Sequence, residues 1–76
     1  MVRAFVTAIT ASGTSEDACE AIRDFEYVRE AHVIAGDYDL MIEMESDEVY
    51  DLLHTVSTEL QSIEGVGSTR TYIALH

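Results

Sequence analysis

A chain of 76 residues holds one domain, and a domain this small hides only roughly 60% of the surface its unfolded form exposes. Fifteen aspartates and glutamates face four basic residues, all of them arginine, for a formal charge of −11 and no lysine. That balance argues against direct nucleic-acid binding, whose affinity comes largely from Lys and Arg displacing counterions, and no apolar run approaches the roughly 18 residues that a membrane span needs.

Residues 2–10 are rich in β-branched and aromatic side chains and predict a first strand, with Ala4, Val6 and Ala8 on one side and Phe5 and Ile9 on the other. Ser12-Gly13-Thr14-Ser15 breaks this pattern and offers a hydroxyl cap, followed by Glu16 and Asp17 where a helix dipole favours negative charge. Ala18, Ala21, Ile22 and Phe25 then recur at helical spacing, which predicts a helix over 15–25. A second strand is expected over 28–35 and a third over 40–45, joined by Gly36-Asp37-Tyr38-Asp39 as a tight hairpin in which glycine takes the positive φ of a primed turn.

Ser46-Asp47-Glu48 opens a longer helix running to 62, with Val49, Leu52, Leu53, Val56, Leu60 and Ile63 as one stripe. Gly65-Val66-Gly67 stops it, and 68–75 forms a fourth strand rich in threonine and tyrosine. The order β-α-β-β-α-β is that of the ferredoxin-like α+β sandwich, a four-stranded antiparallel sheet with two helices on one face. Phe5, Ile9 and their neighbours cannot all point at those helices. With 47% hydrophobic residues, the uncovered face is expected to pair with the sheet of an identical chain, as in a dimeric α+β barrel.

Two stretches carry a family resemblance. Val28-Arg29-Glu30-Ala31-His32-Val33-Ile34-Ala35-Gly36-Asp37-Tyr38-Asp39 is similar to a strand, turn and Gly-Asp-aromatic-Asp signature, and Gly65-Val66-Gly67-Ser68-Thr69-Arg70-Thr71-Tyr72 to a Gly-Val…Thr-x-Thr strand. Both resemble the effector-binding (RAM) domain of the Lrp/AsnC regulators, and the resemblance covers the whole chain, 1–76, as a single domain. Because the first strand begins at the N-terminus, the chain is expected to lack that family's helix-turn-helix and to work without its own DNA-binding domain. The resemblance implies a homodimer assembling further into an octamer of four dimers, a small amino-acid effector bound where dimers meet, and a full-length Lrp/AsnC regulator as a partner.

The residues agree with such a ligand. An amino acid needs an anionic partner for its ammonium, for which Asp37 and Asp39 are candidates, and N–H or O–H donors for its carboxylate, for which the Gly36 turn, Thr69 and Thr71 are candidates. Tyr38 and Tyr72 would form walls. Each also has a purely structural reading: Gly36 and Asp37 suit a turn, Asp39 suits a backbone amide, and threonine suits any strand.

His32, His54 and His76 share no short spacing, so no metal or other cofactor is expected. Cys19 has no intramolecular partner and suits a buried small hydrophobe on a helix. No signal peptide is legible at Met1-Val2-Arg3-Ala4-Phe5, and a cytoplasmic protein is expected. The alternatives to a non-catalytic sensor are a small dimeric α+β barrel enzyme of monooxygenase or isomerase type, which would need a cavity above about 300 Å³ with His32 in its wall, and a purely structural assembly module.

A lysine-free acidic surface also suits molar salt, where the Debye length falls to about 3 Å and self-repulsion is screened. Thermal unfolding followed in low salt and in concentrated KCl should show a clearly lower midpoint in low salt. Equal midpoints would remove the halophilic reading.

Overall fold

The computed structural model describes residues 1–76. Its elements are β1 (Val2–Thr10), α1 (Ser15–Arg23), β2 (Val28–Val33), β3 (Leu40–Ser46), α2 (Val49–His54), which runs on into a π-helical stretch (Thr55–Leu60), and β4 (Val66–Ile73). The strands form one sheet in the order β2-β3-β1-β4, and every neighbouring pair is antiparallel. This is the expected βαββαβ ferredoxin-like sandwich. No helix is long and apolar enough to cross a membrane.

Period-2 alternation decides which side of the sheet is covered. Along β1, Ala4, Val6, Ala8 and Thr10 are buried, and the register carries that face through Leu40, Ile42, Met44 and Ser46 of β3. Ala18, Cys19 and Ile22 of α1 and Leu52, Val56 and Leu60 of the second helix close over it. Four of the thirteen core residues are alanine, so the helices lie close against the strands and the core stays small.

The second helix departs from the single expected stripe. Leu52, Val56 and Leu60 are buried, whereas Val49 and Leu53 are exposed. A spacing of four overshoots a 3.6-residue turn by about 40° per step, and the wider winding over Thr55–Leu60 lets the last of these side chains face the sheet. Thr55 is drawn inside with them.

The loops hold two further corrections. Thr14 occupies the N-cap of α1 without a side-chain bond to the helix; its hydroxyl donates instead to Ala11 O at 2.7 Å. The β2–β3 connection spans six residues, because β2 ends at Val33, and it is closed by Ile34 N–H donating to Asp39 O at 2.8 Å. Gly36 is not among the glycines of positive φ, which are Gly13 and Gly65. The connection is therefore no primed two-residue turn, and its glycine has no conformational necessity.

Gly65 is the opposite case. Its φ is +94°, and an added Cβ would lie 2.5 Å from Thr14 Oγ1, while its carbonyl accepts from Ala11 N–H at 2.7 Å. It couples the start of β4 to the β1–α1 turn. Gly65→Ala should cost roughly 1–3 kcal/mol through a side chain held at positive φ, measured as a lower midpoint of chemical unfolding; an unchanged midpoint would contradict the tight packing at this crossing.

Candidate ligand site

Successive peptides along the end of β1 organise the site. Ala8 O accepts from Asp39 N–H at 2.9 Å, and Thr69 of β4 sits in register with Ala8 on the other side. The Asp39 carboxylate then accepts from Thr10 N–H at 2.8 Å and from the Thr10 hydroxyl at 3.3 Å. Thr10 Oγ1 in turn lies 2.6 Å from Ser15 Oγ at the first turn of α1. One aspartate thus ties the β2–β3 connection to the last residue of β1, and through Thr10 to α1. The β1–β3 ladder ends at Ala8 and Leu40, so β3 supplies no backbone partner for Thr10 N–H on that side and a side chain does.

Tyr38 reaches across to the other strand: the Arg70 guanidinium carbon lies 6.0 Å from its ring centroid, a cation–π contact at the edge of range. Gly36 and Asp37 are exposed, Tyr38 and Asp39 half-buried. The structure therefore brings Gly36, Asp37, Tyr38 and Asp39 to the same end of the sheet as Thr69. Thr69 and Thr71 lie on the helix side of β4, paired with Ala8 and Val6, and the Thr69 hydroxyl accepts from Gln61 Nε2 at 3.0 Å. Tyr72 lies on the other side, opposite Phe5 and 55% exposed. One protomer consequently splits the expected set between two faces. Arg70, Thr10 and Gln61 are contacts that sequence patterning does not single out; Arg70 lies within the Thr-x-Thr strand segment, while the other two are joined to the site only by tertiary hydrogen bonds.

The uncovered face of the sheet carries Phe5, Thr7 and Ile9 from β1, Met41 from β3 and Tyr72 from β4, with Phe5 36% and Ile9 43% exposed. Beside them runs a charge ladder. Arg3 pairs with Glu43 at 3.4 Å and Glu45 at 3.3 Å, and Arg29 pairs with Glu45 at 3.3 Å. Thr7 Oγ1, mid-face, is buried without a hydrogen-bond partner.

Part of what an enzyme would need is present. His32 does line a depression of about 320 Å³ with Glu16, Cys19, Glu20, Arg23 and Val33, but this is an open groove between α1 and the sheet edge. The His32 ring meets Glu30 at 3.0 Å. Tyr27 is held protonated: desolvation first, then the negative charges of Asp51 and Glu26, push its phenol above the usual range.

A model of the Lrp/AsnC ligand binding domain matches residues 3–76. The chain belongs to this family. It is 28% identical over 60 residues to the leucine-responsive regulatory protein of Haemophilus influenzae, a match that covers 79% of this chain and 36% of that protein. The chain thus spans well under half the length of this curated relative. Among solved structures, TTHA0845 from Thermus thermophilus superposes with a TM-score of 0.94 at 30% identity, covering 100% of this chain and 95% of the other. Hypothetical protein PHS023 from Pyrococcus horikoshii gives 0.91 at 32% identity, covering 100% and 92%. Both of these chains are close in length to this one.

Asp39→Ala would leave the part-buried Thr10 N–H without its acceptor and should cost about 1–3 kcal/mol, whereas Asp37→Ala, at an exposed position, should change stability by less than about 0.5 kcal/mol. Equal losses in urea titrations would refute the role assigned to Asp39.

Proposed function

We propose that this domain is a non-catalytic sensing and oligomerisation module of the Lrp/AsnC type, which pairs with a second copy through its uncovered sheet and binds a small amino acid where such dimers meet. The observation that carries the reading is Gly36. It needs no positive φ, and an added Cβ would touch nothing within 4 Å in its own protomer. A glycine that neither backbone nor packing requires suits a backbone approached from outside, by a ligand or a second chain. In this reading Asp37, with help from Asp39, receives the ammonium. Backbone amides around Gly36 and the hydroxyls of Thr69 and Thr71 meet the carboxylate, with Tyr38 and Tyr72 as walls. Residues split between two faces of one protomer then belong to one crevice contributed by several copies.

Support for self-pairing comes from the half-exposed Phe5, Ile9, Met41 and Tyr72 and from the orphaned Thr7 hydroxyl, which a facing copy can satisfy. A Neisseria meningitidis transcriptional regulator solved as an L-Met complex shares the fold, with a TM-score of 0.85 at 18% identity over 99% of this chain and 50% of that one; an amino acid is the corresponding class of ligand here. Four dimers closing into an octamer, a cytoplasmic setting at high salt, and a full-length family member as the downstream partner complete the proposal.

Calorimetric titration with the common amino acids should yield at least one binder. Gly36→Ala should leave the protein as stable or up to about 1 kcal/mol more stable while weakening that binding about tenfold, or about 1.4 kcal/mol. Silence across all amino acids with the oligomer intact would leave an assembly module and remove the sensor.

A further inference from the structure

The charges of this chain are sorted by face. Three of the four arginines, Arg3, Arg29 and Arg70, stand on or reach over the uncovered sheet. The carboxylates there are Glu30, Glu43 and Glu45, placed by strand register and by the Arg3 and Arg29 ion pairs. That face is formally neutral. The whole charge of −11 therefore lies elsewhere, where twelve carboxylates face Arg23 alone. Arg23 is itself engaged, donating through Nε and Nη2 to Ala31 O at 3.0 and 2.8 Å.

The imbalance is sharp at the end of the sheet that holds the candidate ligand residues. Glu16, Asp17, Asp37, Asp39 and Glu64 all lie at or beside the β1–α1 turn, the β2–β3 connection and the start of β4. All but Asp39 are exposed. The nearest basic group is Arg70, set against the Tyr38 ring.

We infer that assembly is two-tiered in ionic strength: pairing of two copies through the neutral sheet persists in dilute salt, whereas the junction between dimers, and with it the shared crevice, forms only when cations screen its carboxylates. The inference rests on the proposed function, since that reading puts the crevice where dimers meet. Coulomb energy separates the tiers. Each sheet brings its own counter-charges, with the Arg3 and Arg29 ion pairs already made, so the contact adds no net like-charge apposition, and apolar burial drives it with little salt dependence. Bringing two acidic ends together sets five carboxylates against five, a repulsion that reaches across about 10 Å at 0.1 M salt and about 3 Å at 1 M. The intracellular cation concentration would then control whether a sensing site exists at all.

Sedimentation velocity on the full chain at about 0.1 M and about 1 M KCl spans that change in screening length. Dimers alone at the lower salt, and larger species at the higher, are expected. Because 1 M salt changes the solvent as well as the screening length, a second arm neutralises charge directly: the triple variant Glu16→Gln, Asp17→Asn, Glu64→Gln should form the larger species at the lower salt, and Arg3→Glu should make dimerisation itself salt-dependent. Larger wild-type species at 0.1 M overturn the inference, as does a wild-type dimer at both salts that still binds an amino acid. A triple variant that is folded by circular dichroism yet remains dimeric at 0.1 M overturns it too. A lone protomer at both salts would instead strike the underlying reading, because no pairing would exist to be gated.

Discussion

A four-stranded sheet with both helices on one side has two faces and one cover. Everything else in this domain follows from that inequality. Alternation along β1 puts Ala4, Val6 and Ala8 under the helices and leaves Phe5 and Ile9 outside, and no shift of register can hide both sets, since a one-residue slip only exchanges them. None of the elements within residues 1–76 closes the second face. The exposed set is apolar at its centre, flanked by ion pairs, and includes an unpartnered hydroxyl at Thr7. Such a surface resembles the inner side of a sandwich whose other half is missing.

At the end of β1 a different constraint operates. The chain needs an acceptor for Thr10 N–H where the β1–β3 ladder has ended, and Asp39 supplies it. The same contact positions Tyr38 against Arg70 and leaves Gly36 and Asp37 free on the outside of the connection. Neighbours in the Gly-Asp-Tyr-Asp run therefore differ in how far the protomer engages them. Asp39 is committed within the protomer, while Asp37 remains available. In the family to which the chain belongs, defined by a ligand binding domain, a rigid anchor beside a free acid is a workable basis for a binding loop.

Charge adds a second level of organisation over the apolar one. Net charge says nothing about fold, but it governs how a body meets copies of itself. Arginines gathered on the sheet and carboxylates left on the helices and loops allow an acidic protein to retain one surface that does not repel its twin.

The alternating strands, the order of elements and the two-sided apolar character of β1 were legible in the sequence alone, because period-2 patterning and helical spacing are local properties of the chain. So was the stop at Gly65, whose positive φ is a backbone demand that only glycine meets cheaply. The primed turn expected at Gly36, the full length of the apolar stripe from Val49 to Ile63, and the side-chain cap at α1 were not what the structure holds. In the first two cases a distant partner decided the outcome, and in the third a local one, Ala11 O three residues back. The sheet selected Leu52, Val56 and Leu60 and widened the helix to reach them, and β1 drew Asp39 into its own end. Which threonines share a face with which tyrosines depends on the register of β4 against β1. Sequence spacing states that Thr69 and Thr71 point the same way; only pairing with Ala8 and Val6 decides that this way is toward the helices.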